Sequence, residues 1–214
     1  MPNWCNNEVR VTGDEDKLKE FKEYCYGKWY HGKCGEETIW VANKDATEAP
    51  YGEYKDNPDF CGGEEFLDTC DKQRQEFSFN SIIPMPKEIE HTSSPTKIFD
   101  TEEEVAEYVK ERLGENPSPL RKQDVNGVMT REYSSYLERT YGADNWYDWS
   151  CLHWGTKWDA STPWLEDDGW ELRYDFDTAW SPPEPVCEFL RDKFPDVSIQ
   201  WFFREDGMEL AGYL

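Results

Sequence analysis

The chain has 214 residues, with 46 acidic side chains against 23 basic ones and a formal net charge of −23. That length suits one or two domains with a buried core. Eleven Trp, twelve Tyr and eleven Phe offset a mean hydropathy of −0.95, so the composition is that of a folded chain with a polar surface. The acid excess is spread out, at 25 Asp/Glu against 12 Lys/Arg over residues 1–107 and 21 against 11 beyond. It argues against direct nucleic-acid binding, whose affinity comes from basic side chains displacing counterions. No apolar run of about 18 residues occurs, so no membrane contact is expected.

In chain order, Val9 and Val11 alternate with Glu8, Arg10 and Thr12, which predicts a half-buried strand over 7–12. Asp14 then caps a helix carrying Leu18, Phe21 and Cys25 on one face. Residues 28–75 are Cys/Gly-rich without sustained periodicity and read as a long irregular insertion. Phe77 and Phe79 alternate with Ser78 and Asn80, predicting a second strand that runs into Ile82 and Ile83 before Pro84 and Pro86 end it. A helical insertion over 91–129 follows, with a Thr101/Glu104 capping box and a stripe of Val105, Tyr108, Val109 and Leu113.

Tyr133, Tyr136, Leu137 and Tyr141 mark another helix, stopped by Gly142 as a left-handed cap. Trp170 to Thr178 is the clearest strand, with Trp170, Leu172, Tyr174 and Phe176 facing one way. Ser181 caps the next helix, with Pro182 and Pro183 in its first turn and Val186, Phe189, Leu190 and Lys193 at helical spacing. A last strand with Val197, Ile199, Trp201 and Phe203 turns at Asp206-Gly207 into a terminal one. The order is βαβ twice, with insertions at 28–75 and 91–129. It predicts one α+β domain over 1–214, a ferredoxin-like split βαβ antiparallel sheet with its helices on one face.

Seven of the eleven tryptophans fall between Tyr141 and Pro185, among ten acidic residues. The runs NWYDW (Asn145 to Trp149), WGTKW (Trp154 to Trp158) and FDTAWSPP (Phe176 to Pro183) stand there. Together with MPNWC and IIPMP elsewhere in the chain, they resemble the YubB ferredoxin-like family of plasmid- and phage-encoded proteins, which has no assigned activity. The resemblance implies the same fold, a mobile-element origin, and a shared constellation of Asn3, Trp4, Asn7, Trp154, Thr156, Lys157, Trp158, Asp177, Trp180 and Ser181. Dense indoles beside carboxylates build either a core or a recognition surface. Within this set Lys157 either pairs with Asp177 or meets an anionic ligand.

Other chemistry is weakly signalled. Cys25, His31, Cys34, Cys61 and Cys70 are candidate metal ligands, but eight residues separate each cysteine pair where zinc knuckles have two to four, so free thiols are favoured over zinc and no cofactor is expected. Cys151 and His153, two apart on an assumed strand, would share a face as a thiol-imidazole pair. No phosphate-cradling glycine motif occurs. Without a secretory signal, the odd number of cysteines, seven, reads as reduced thiols in the cytoplasm of a bacterial host cell. The function expected is a non-enzymatic acidic binding protein that inhibits a host nucleic-acid-directed defence protein through that protein's basic surface. The alternatives are a nucleotide-like anion site built from Trp and Lys, and an enzyme or zinc-stabilised module.

Overall fold

The computed structural model describes residues 3–34, 37–42, 74–90, 92–113 and 127–214, with side chains described for 3–26, 76–90, 92–112 and 127–214. Its central element is a five-stranded antiparallel sheet built from β1 (Trp4–Thr12), β7 (Ser161–Asp167), β8 (Glu171–Ala179), β9 (Ser198–Glu205) and β10 (Leu210–Tyr213). The strand order is β10-β9-β1-β8-β7. Because β8 is antiparallel to both β1 and β7, β1 and β7 are parallel with β8 between them; by the same logic β8 and β9 are parallel with β1 between them. Each βαβ half thus brackets a strand of the other, which is the split βαβ arrangement of a ferredoxin-like fold. The crossovers run through α1 (Glu15–Cys25) and α7 (Glu184–Lys193), which pack on β8 and β9.

The sheet's inner face follows the alternation of the sequence. Cys5, Asn7, Val9 and Val11 of β1, Leu172, Tyr174 and Phe176 of β8, and Ile199 and Trp201 of β9 are all buried. Leu18, Phe21 and Cys25 meet them from α1, and Val186, Cys187 and Leu190 from α7. Phe77 is the hub, stacked on Phe176 at 4.9 Å and edge-on to Tyr174 at 5.0 Å and Trp201 at 5.9 Å. Among the described residues, no helix of this fold covers the other face of the sheet. Across it run the odd-even partners of the buried set, among them Glu8, Arg10, Asp175, Asp177, Gln200 and Phe202.

The second strand of the fold is not the stretch after Glu76. Residues Phe79–Ile82 form a short helix, α2, because Ser78 accepts at Oγ from Ser81 N (3.3 Å) and the Asp159 carboxylate gathers Phe79 N, Asn80 N and Ser78 Oγ at 2.5–3.3 Å. The alternating phenylalanines there report two rings inserted into one core. The strand position belongs to β7, where Pro163 and a bulge between Ser161 and Trp164 interrupt the alternation that reveals strands.

Between α1 and β7, Gly27–Cys34 (β2) and Glu37–Ala42 (β3) pair antiparallel, and Arg74–Gln75 (β4) lines the other side of β2. The first part of the stretch read as an irregular insertion is therefore a hairpin. Further on lie α3 (Lys87–Glu90), the parallel pair β5 (Lys97–Phe99) and β6 (Val128–Thr130), α4 (Glu102–Leu113), α5 (Arg131–Tyr141) and α6 (Trp146–His153). The capping box forms, with Glu104 N on Thr101 Oγ1 and Thr101 N on Glu104 Oε2, and Gly142 ends α5 at φ +83°. Buried Asp144 ties this region together, accepting from Thr96 Oγ1, Ser134 Oγ and Asn145 Nδ2.

Some local expectations differ. Ser181 does not cap α7: Pro183 holds the cap position, and the Ser181 hydroxyl donates to Gly155 O at 2.7 Å. Asp14 sits at the cap of α1 without a side-chain hydrogen bond. Trp170 lies in the β7–β8 turn, exposed, just before β8 begins.

Candidate functional site

The motif residues divide into a buried frame and an exposed set. Asn7 is fully buried and spends its amide internally: Nδ2 donates to Cys5 O and Thr178 Oγ1, both at 2.9 Å, and Oδ1 accepts from Trp201 Nε1 at 3.1 Å. Thr156 donates to Ala179 O at 2.9 Å. Trp154, also buried, donates from Nε1 to Ile83 O at 2.9 Å and packs edge-on to Trp149. The second position of the IIPMP run is thereby joined to the WGTKW run. Gly155 has φ +77°, and a Cβ there would meet Pro185 Cδ at 2.7 Å, so only glycine lets the loop lie on the start of α7. These hydrogen bonds satisfy buried polar groups and fix how the loop, β1 and β8 meet.

The exposed set is aromatic. Trp4, Trp158 and Trp180 are 43%, 39% and 49% exposed, although large aromatics usually pack. Trp4 and Trp158 lie 6.3 Å apart by ring centroid, and Trp180 N donates to Asn3 O at 3.0 Å, so the three stand at one end of the sheet. Lys157 Nζ lies over the Trp158 ring at 4.3 Å, with Trp146 and Tyr147 at 5.8 and 5.7 Å. The ammonium is held by indole and phenol faces. It does not pair with Asp177, which sits between Asn6 and Ser161 on the sheet. Among the described residues, no carboxylate lies within ion-pair distance of Lys157.

The sequence missed three contributors. Trp146 and Tyr147 of α6 frame Lys157, signalled only by the NWYDW run lying shortly before WGTKW. Trp164, 55% exposed, is brought opposite Asp175 by the β7 bulge.

The nucleophile candidates are not brought together, and of the metal candidates only Cys25 has a described side chain. Cys151 and His153 lie on helix α6, where two residues' separation puts side chains on opposed sides. His153 donates from Nε2 to Tyr141 O at 3.0 Å and lies against Trp149, while Cys151 is exposed. Burial pushes the Cys151 thiol up despite its bond to Tyr147. Cys25 is buried; the side chains of His31 and Cys34, and Cys61 and Cys70 entirely, lie outside the described residues. Among the described residues no group of three or more metal-ligating side chains occurs.

Burial raises the Cys5 and Cys187 thiols to about 11. At about pH 8 iodoacetamide is expected to alkylate Cys151 in the native chain, while Cys5, Cys25 and Cys187 react only after unfolding. Peptide mapping by mass spectrometry reads each site; early labelling of Cys5 or Cys187 would show that the sheet core opens.

Residues 153–214 match the family model described as the ferredoxin-like domain in Api92-like protein. The matched segment spans β7, β8, α7, β9 and β10, and β1 with α1 completes the sheet from outside it. Among solved structures, the crystal structure of a protein api92 from Yersinia pseudotuberculosis matches at 14% identity with a TM-score of 0.45, over 100% of this chain and 93% of its own. No curated protein matches the chain. In this structure no helix among the described residues is long and apolar enough to cross a membrane.

Proposed function

We propose that the chain is a non-enzymatic binding protein that presents exposed indoles within an acidic surface to a basic protein partner. The observation that carries this reading is the division within the motif set. Asn7, Trp154 and Thr156 are buried and their donors are spent on internal hydrogen bonds, whereas Trp4, Trp158 and Trp180 are held half exposed. Half-exposed tryptophans are the side chains that anchor protein interfaces. The net charge of −23 steers encounter with a basic surface and rejects acidic competitors. The resemblance to the YubB family extends the reading to a plasmid- or phage-encoded protein in a bacterial cytoplasm. There the partner class is a host defence protein whose basic surface handles nucleic acid.

The test is the salt dependence of the complex formed with a partner co-purified from the host and identified. Affinity is expected to fall at least tenfold between about 0.05 and 0.3 M salt, as charge-led association does. A salt-insensitive complex contradicts the charge-led reading, and so does the absence of any host partner.

One observation favours a second reading. Lys157 is half-buried with no carboxylate in ion-pair distance among the described residues, as a site for a nucleotide-like anion requires. Lys157→Met keeps the stem over the rings, so the fold should hold, and loss of anion uptake in that variant would move the assignment to the anion site.

A further inference from the structure

Two tryptophans on or beside the open sheet face are presented by unusual backbone. Trp180 has φ +74°, a region in which a bulky L-residue is strained. Strand alternation puts residue 180 on the buried side with Phe176 and Thr178; the left-handed backbone breaks that alternation, and the indole stays 49% exposed. At the far edge, Thr162 has φ +48° inside the β7 bulge. The bulge adds one residue between Ser161, opposite Asp177, and Trp164, opposite Asp175, so the register change re-aims the 55% exposed Trp164 onto the open face. Backbone strain persists where the surroundings enforce it and clusters at functional positions.

Between these indoles lie two carboxylates, Asp175 and Asp177. Asp175 follows Trp164 across the sheet, Asp177 stands one row on, and Trp4, opposite Ala179, closes the series beside Trp180. Asp175 accepts from Asn6 Nδ2 at 3.1 Å. Elsewhere on this face the acids are neutralised, Glu8 by Arg10 at 2.6 Å and Glu166 by Arg173 at 2.8 Å. Among the described residues, no Lys or Arg lies within ion-pair distance of Asp175 or Asp177.

Resting on the binding-protein reading above, we infer that the open sheet face from Trp164 to Trp180 is the docking surface, and that it takes an arginine-bearing segment of the partner rather than a lysine-bearing one. A guanidinium stacks on an indole with its flat face while its edge forms a forked pair of hydrogen bonds to a carboxylate, and the alternation of Trp164, Asp175, Asp177 and Trp4 supplies both halves of that recognition. An ammonium matches the charge and forgoes the stacking and the fork.

The experiment titrates the full chain with nona-arginine and nona-lysine peptides of equal charge at low salt. Nona-arginine is expected to bind about fivefold or more tighter. Trp164→Ala, Trp180→Gly and the double variant Asp175→Asn/Asp177→Asn should each bring that ratio toward one. Equal affinities in the wild type, or a ratio indifferent to these variants, would overturn the inference while leaving a charge-led partner in place. Binding of neither peptide would remove the charge-led reading as well. Inorganic triphosphate bound in preference to both would assign the face to an anion and overturn it too. Folding is controlled by Trp180→Gly against Trp180→Ala: if the left-handed backbone is retained, the glycine variant melts above the alanine variant, reversing the usual order.

Discussion

Asn7→Leu is expected to destabilise the chain by about 3 kcal/mol or more, because it leaves buried polar groups without partners. The side chain is fully buried, and its amide joins Cys5 O, Thr178 Oγ1 and Trp201 Nε1 across three adjacent strands, β8, β1 and β9. Leucine is close to asparagine in volume, so steric disruption is small and the loss comes from desolvated donors and acceptors. The Trp201 indole N–H suffers most, since among the described residues it donates to Asn7 Oδ1 alone. Urea unfolding should show the midpoint falling with the slope unchanged, the signature of lost stability without a change in the surface exposed. A loss below about 1 kcal/mol would mean that water reaches the site and that this motif asparagine is not a structural strut.

The second large effect is at Phe77. Its ring contacts Phe79, Tyr174, Phe176 and Trp201, and it is fully buried between α2 and the sheet. Phe77→Ala removes a whole ring from a packed aromatic cluster and is expected to cost about 4 kcal/mol, the transfer free energy of the ring plus a cavity that the rigid neighbours cannot close. The contrast is with Trp164→Ala, which removes a larger side chain at about 0.5 kcal/mol or less, since that indole is more than half exposed. The pair separates core aromatics from recognition aromatics by experiment. Similar losses at both positions would put Trp164 in the core and undo its assignment to a surface.

Much of the fold was legible because simple alternation survives in β1, β8 and β9. Val9/Val11, Leu172/Tyr174/Phe176 and Ile199/Trp201 face inward as their spacing says. What failed to show is local chemistry that breaks a period. Phe77 and Phe79 imitate strand alternation, yet Asp159, some eighty residues away in sequence, supplies the acceptors that wind the segment into a helix. That partnership leaves no trace near residue 80. Strand β7 was hidden for the opposite reason, since its bulge shifts the register within a seven-residue strand.

The candidate site stood out in the sequence as a set of residues and not as a division of labour. Motif spacing drew attention to Trp4, Asn7, Trp154, Lys157 and Trp180 alike, but only three-dimensional packing distinguishes Asn7, whose amide is consumed, from Trp180, whose indole is left out. Cys151 and His153 illustrate the same limit: their apparent pairing depended on a strand, and Asn145 instead caps a helix by accepting from Asp148 N.

The most direct measurement is native mass spectrometry of the full chain purified at low salt from cells that express it, compared with its denatured mass. The account predicts a complex with a basic host protein that dissociates as salt is raised. A chain carrying a bound small anion and no protein would contradict it, as would a bare chain under the same low-salt conditions.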